Sequence, residues 1–195
     1  VEAYTTTEQA CASQRKAVMV SVMQQPLAPV ADNKTVCEGS STLLTIKQAS
    51  AEFTYNWYSV ATGGVALATG TSYNTGALTS DRTYYIEAVN ASGCVSQRTS
   101  VTVSISAVPD TPFAANKRIC AGETAVLAVS MPDASLNYRW FDGAGRLLAT
   151  GEKFEVSGLT ASTTYYVEAV SGTGCISPKR KAVVVSVSQL PATPI

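Results

Sequence analysis

Short stretches of alternating apolar and polar residues run along most of this chain. Thr42–Gln48 alternates, with Leu44 and Ile46 on one face. Tyr55 and Trp57 share a face of the aromatic run Tyr55–Tyr58. Thr83–Val89 puts Tyr84, Ile86 and Ala88 on one side and Tyr85 and Glu87 on the other. Further on, Val101, Val103 and Ile105 point one way and Thr102 and Ser104 the other. Val65–Ala68 and Ser72–Asn74 read as two further short strands, and proline-bearing Leu27–Cys37 reads as an irregular edge strand. Turn residues separate the runs, at Glu38-Gly39-Ser40-Ser41, Ala61-Thr62-Gly63-Gly64 and Ala91-Ser92-Gly93. Threonine, valine and tyrosine suit a pleated, half-buried surface, and no stretch has helical periodicity. The pattern predicts an all-β chain.

The pattern occurs twice. Val36-Cys37-Glu38-Gly39 returns as Ile119-Cys120-Ala121-Gly122, and Tyr55-Asn56-Trp57-Tyr58 as Tyr138-Arg139-Trp140-Phe141. Leu67-Ala68-Thr69-Gly70 returns as Leu148-Ala149-Thr150-Gly151, and Thr83–Val89 as Thr164–Val170. A period this long is a whole domain rather than a solenoid unit. Residues 26–108 and 109–190 are therefore expected to be two complete repeats. Residues 1–25 align with 86–108 and are expected to form the last two strands of a preceding, truncated repeat. Residues 191–195 read as the start of a following repeat or a linker. The connections Gln25-Pro26-Leu27-Ala28-Pro29 and Val108-Pro109-Asp110-Thr111-Pro112 favour stiff, extended backbone.

About seven short strands in about 80 residues point to an immunoglobulin-like, fibronectin III-like β-sandwich. Trp57 and Trp140 fall where the third strand of such a sandwich carries its core tryptophan. Tyr84 and Tyr165 each follow a leucine (Leu78, Leu159) by six residues across a short polar corner. That spacing predicts a tyrosine corner, with the ring in the core and the hydroxyl bonded back to corner backbone.

Lysine plus arginine equals aspartate plus glutamate, 14 of each, so no polyanion-binding surface for nucleic acid is expected. No apolar run reaches membrane-spanning length. Histidine is absent, which removes the commonest general base and metal ligand. We expect no enzyme activity, no cofactor and no structural metal.

The five cysteines follow the repeat. Each full repeat has one before its first core strand (Cys37, Cys120) and one after its Tyr-Tyr strand (Cys94, Cys175), and Cys11 is the late cysteine of the N-terminal fragment. Two per repeat at repeated spacing predicts disulfides and an exported protein. The fragment, with one half of the motif and one cysteine, favours Cys37–Cys94 and Cys120–Cys175 with Cys11 unpaired. One objection stands: in a standard sandwich these positions lie at opposite poles, and Cα atoms must come within about 7 Å to bridge. A head-to-tail rod gives the alternative, Cys37–Cys175 between successive repeats.

Alternation also places Tyr58 and Tyr85, and Phe141 and Tyr166 in the second repeat, on the outward face of neighbouring strands, with Arg139 and Glu168 beside them. Such aromatics either stack on a glycan or partner protein or support the sheet as cross-strand pairs.

Cys-x-Gly, Tyr-x-Trp-Tyr/Phe, Leu-Ala-Thr-Gly, Thr-Tyr-Tyr-x-Glu-Ala and Gly-Cys-x-Ser together resemble the Ig-like repeats of large surface and secreted proteins of gliding and related Bacteroidetes. The resemblance implies a tandem spacer or adhesive array, exported by the type IX system and located outside the cell or on its surface. Its partners would be neighbouring repeats of the same or an adjacent chain, and a surface glycan or protein. Two other readings remain: a carbohydrate-binding accessory region of an exported hydrolase, and a subunit of an extracellular filament.

Overall fold

The computed structural model describes residues 14–189. Its first repeat contains β1 (Val30–Ala31), β2 (Lys34–Cys37), β3 (Leu43–Lys47), β4 (Phe53–Tyr58), β5 (Ala68–Thr69), β6 (Ser72–Asn74), β7 (Arg82–Asn90) and β8 (Thr99–Ser106). The second contains β9 (Lys117–Cys120), β10 (Ala125–Ala128), β11 (Leu136–Phe141), β12 (Leu147–Thr150), β13 (Lys153–Val156), β14 (Thr163–Ser171) and β15 (Lys181–Ser188).

Each repeat is a two-sheet sandwich. In the first, the sheets run β1-β3-β6 and β2-β8-β7-β4-β5. In the second, they run β10-β13, extended by a bridge between Ala114 and Val129, and β12-β11-β14-β15-β9. The expected first edge strand is split. β1 pairs antiparallel with β3, whereas β2 crosses over and pairs parallel with β8. β9 pairs parallel with β15 in the same way. The Asn33 side chain holds the crossover by accepting from the Thr102 amide at 2.9 Å, and Asn116 does so for Val184 at 2.9 Å.

The alternation buries the residues it predicts. Leu44, Trp57, Ile86, Val101 and Val103 are fully enclosed in one core, and Leu127, Trp140, Val167, Val183 and Val185 in the other. The Trp57 indole donates to the Gly70 carbonyl at 2.9 Å, and Trp140 to that of Gly151 at 3.0 Å. Each tryptophan thus satisfies its one donor while its ring fills the centre. Tyr84 packs against Tyr73 (5.2 Å between centroids) and Tyr165 against Phe154 (5.3 Å), so both rings sit in the core as expected. The corner hydrogen bond does not form among the described residues. Burial instead holds both phenols above their usual pKa. The tyrosines that do bond backbone are Tyr55, accepting from Ser50 N at 2.9 Å, and Tyr138, accepting from Asp133 N at 2.8 Å.

The expected pair of N-terminal strands lies mostly outside the described residues. Residues 1–13 lie outside the described residues, as do 190–195. Residues 14–25 make no strand, and Val18, Val20 and Val22 stand exposed.

Because each core is closed within its own repeat, Leu127→Ala should destabilise the second repeat by about 2–5 kcal/mol. The first repeat should change by less than about 0.5 kcal/mol. Denaturant titrations of single-tryptophan variants, Trp57→Phe and Trp140→Phe, read the two repeats separately.

Candidate functional site: the junction between repeats

The parallel pairing of β2 with β8 decides where the cysteines lie. It sets Cys37 beside Ser106, at the downstream end of the first sandwich. Cys94 lies in the turn from β7 to β8, at the other end of β8. An eight-residue strand spans about 25 Å, far beyond the reach of a disulfide. The intra-repeat pairs Cys37–Cys94 and Cys120–Cys175 are therefore excluded. The structure joins Cys37 to Cys175, with Cα atoms 5.6 Å apart, and leaves Cys94 and Cys120 as thiols. Cys11 lies outside the described residues.

The bond sits in a prepared cradle. After Cys37 the chain turns through Gly39 at φ 78°, a left-handed conformation suited to glycine. The Glu38 amide donates to Ser106 O at 2.9 Å, and the Gly39 amide to Leu78 O at 2.8 Å. On the facing side, the turn through Gly174 (φ 88°) is tied by Ser171 N to Cys175 O at 2.8 Å and by Cys175 N to Ser171 Oγ at 3.0 Å. Across the junction the Ser106 and Thr173 hydroxyls hydrogen-bond to each other. Cys175 is 1 % exposed.

The linker is fixed as well. Pro112 is buried, Ser130 N donates to Phe113 O at 2.7 Å, and residues 106–113 roof a cleft of about 720 Å³ over Met131 and Tyr138. Residues 27–30 roof a cleft of the same volume on the first repeat, over Gln48 and Tyr55, with Pro29 buried. Each linker thus belongs structurally to the repeat it leads into.

The predicted aromatic face is built differently from a binding platform. Register places Tyr58 opposite Tyr85 and Phe141 opposite Tyr166, as expected. However, Tyr58 and Phe141 are buried and Tyr85 and Tyr166 half-buried. The Arg98 guanidinium lies 3.3 Å above the Tyr58 ring and that of Arg180 lies 3.5 Å above Phe141. These are cation–π contacts that close the face. Each arginine also pairs with a buried glutamate, Arg98 Nε with Glu87 at 2.8 Å and Arg180 Nε with Glu168 at 2.7 Å. Alternation had placed these glutamates outward, and the arginine lids cover them.

The two clusters satisfy the second carboxylate oxygen by different means. In the first repeat, the Tyr58 hydroxyl donates to Glu87 Oε1. Phe141 lacks that hydroxyl, and Arg139, replacing Asn56, supplies the donor to Glu168 Oε1 at 2.6 Å. Burial alone would raise the Glu87 pKa, but the Tyr58 and Arg98 donors outweigh it and hold it below the ordinary 4.5.

The family model described as "Ig-like domain CHU_C associated" matches residues 26–106 and again 109–188. The chain belongs to this family. Among solved structures, the fibronectin(III)-like modules of Clostridium thermocellum CbhA are similar at 16% identity and TM-score 0.50, covering 84% of this chain and 92% of that one. Domains 3–5 of the Drosophila OTK extracellular region align at 16% identity and TM-score 0.43, over 82% of this chain and 61% of that one. The chicken CNTN1 FN1–FN3 domains align at 10% identity and TM-score 0.46, over 83% and 68%. The first likeness shows the shared tandem sandwich fold. A comparison with curated proteins finds no match.

Tyr58→Phe should cost the first Ig-like repeat about 1–3 kcal/mol by removing the hydroxyl that donates to the buried Glu87 carboxylate. Adding Asn56→Arg should restore most of it, as Arg139 does for the second repeat; thermal melts of the single and double variants measure both. Because the native Glu87 pKa is depressed, its contribution is complete above pH 4.5 and is lost as pH falls through the lower native value. Glu87→Gln should remove that acid dependence from the transition reported by Trp57.

Proposed function

We propose that the chain is a non-enzymatic, extracellular segment of a structural or adhesive array, in which successive Ig-like repeats are held at a fixed relative geometry. The Cys37–Cys175 bond carries this reading. It stabilises neither core from within and ties two self-contained sandwiches together, so its effect falls on the junction. It closes a sequence separation of 138 residues, so it restrains one folded sandwich directly against the other. A buried proline in the linker and the Ser106–Thr173 bond act in the same direction. Disulfides persist in oxidising compartments, which supports location outside the cell or on its surface. Absence of histidine from the sequence supports a non-catalytic role. With Tyr58 and Phe141 covered by arginine, the aromatic face supports a sheet-stabilising role over a glycan platform.

NMR alignment tests the spacer reading. In the oxidised chain the two repeats should share one alignment tensor. Replacing Cys37 and Cys175 by serine should leave both repeats folded, but with separate tensors. Separate tensors in the oxidised chain itself would overturn the reading.

A further inference from the structure

We propose that the cleft beside the Asp142–Arg146 hairpin of the second repeat binds a carboxylate-bearing sugar, with Arg180 and Lys179 taking the carboxylate and Asp142 a hydroxyl. The cleft encloses about 620 Å³ and is lined by the hairpin, Tyr166, Lys179 and Arg180.

The two repeats differ in what their arginine holds. In the first, Arg98 Nε donates to Glu87 at 2.8 Å, and its Nη1 donates to the Val60 carbonyl at 2.9 Å and the Gly63 carbonyl at 2.7 Å. These bonds tie down the loop after β4 and leave the side chain 13 % exposed. The second repeat has a shorter hairpin, Phe141–Leu148 against Tyr58–Leu67, and it closes on itself. Asp142 N donates to Arg146 O at 3.1 Å, and Asp142 Oδ1 accepts from the Ala144 and Arg146 amides, each at 2.9 Å. The hairpin therefore needs nothing from Arg180, whose side chain is 39 % exposed. Among the described residues, Arg180 donates from Nε alone, and Nη1 and Nη2 make no hydrogen bond. Gly145 borders Nη1 without a side chain, where an added Cβ would come to 3.7 Å.

These open donors are fixed in place. The guanidinium lies 3.5 Å above the Phe141 ring, and Glu168 holds its Nε at 2.7 Å. An arginine held on one edge presents its remaining N–H groups as a planar fork, which matches the two oxygens of a carboxylate. A side chain already immobilised loses little freedom on binding. Lys179 adds a second cation. It takes the place of Gln97, since Ser177 Oγ donates to Lys179 O as Ser96 Oγ does to Gln97 O.

Asp142 selects among acids. Its Oδ1 is committed to the hairpin, but no hydrogen bond among the described residues uses its Oδ2. An ionised carboxylate only accepts, so this oxygen suits a ligand hydroxyl. Two cations beside one open acceptor fit a molecule that carries an acid and hydroxyls on one ring, as a sugar acid does. A peptide bearing carboxylates alone would meet Asp142 with like charge. The site lies within one repeat, so the inference goes beyond the array reading and does not rest on the alignment across Cys37–Cys175.

NMR titration of the oxidised chain with trigalacturonate tests the proposal. The amides of Gly143, Gly145, Tyr166 and Arg180 should shift, and those of Gly63, Tyr85 and Arg98 should stay. Neutral galactotriose should shift none of them. Lys179→Gln, an exposed change to the residue of the first repeat, should weaken binding about fivefold. Arg180→Lys, which keeps the charge and loses the fork, should weaken it about tenfold. Asp142→Asn should reduce the preference for trigalacturonate over triaspartate. No shift at all, equal shifts in both repeats, an equal response of the unmodified chain to triaspartate, or affinity unchanged by Lys179→Gln and Arg180→Lys would each overturn it. Circular dichroism of each variant checks that the sandwich is kept.

Discussion

The parallel pairing of β2 with β8, repeated by β9 with β15, is the constraint on which the junction depends. It carries the early cysteine of each repeat to the downstream pole, beside the last residue of the final strand. The late cysteine is fixed at the upstream pole by the turn between the last two strands. Rigid strands about 25 Å long keep the two apart. The only partner within reach of Cys37 among the described residues is the upstream-pole cysteine of the next repeat. A bond that is local in most small exported domains here acts between domains.

Each sandwich consequently has to hold without an internal staple. The tryptophan at the centre satisfies its indole on the Gly70 or Gly151 carbonyl, and a shell of valine, leucine and isoleucine closes around it. A second fastening lies on the outer face of the five-stranded sheet, where arginine, glutamate and an aromatic ring form one cluster. A buried ion pair contributes little unless all its hydrogen-bonding groups are satisfied. The exchange of Asn56 and Tyr58 for Arg139 and Phe141 shows that requirement directly. The hydroxyl and the guanidinium are alternative donors to the same carboxylate oxygen. The Arg139 solution leaves its Nε buried without a partner, whereas the tyrosine solution leaves no such atom.

Much of this was legible in the sequence. Alternation identified Leu44, Ile46, Tyr84, Ile86 and Ala88 as core, and the recurrence of Trp57 as Trp140 located the centre of each sandwich, because side-chain period and burial are local consequences of the pleat. Gly39 and Gly122 were readable as turn residues for the same local reason. The arginine lids were not legible. Arg98 and Arg180 lie 11 and 12 residues from the glutamates they pair with, and nothing in the period of their own strands announces where a long side chain folds back. Alternation alone therefore placed Tyr58, Phe141, Glu87 and Glu168 outward, and the tertiary fold covered them.

The sequence by itself determined the fold class, the repeat, the core and the presence of two cysteines in each repeat. Each of these follows from residue type and short-range spacing. Which cysteine bonds which was decided by the tertiary structure alone. Spacing along the chain measures the loop a disulfide would close but not the distance it must span. That distance is set by strand direction, and the parallel return of β2 beside β8 turns two cysteines of one repeat into opposite ends of a rod.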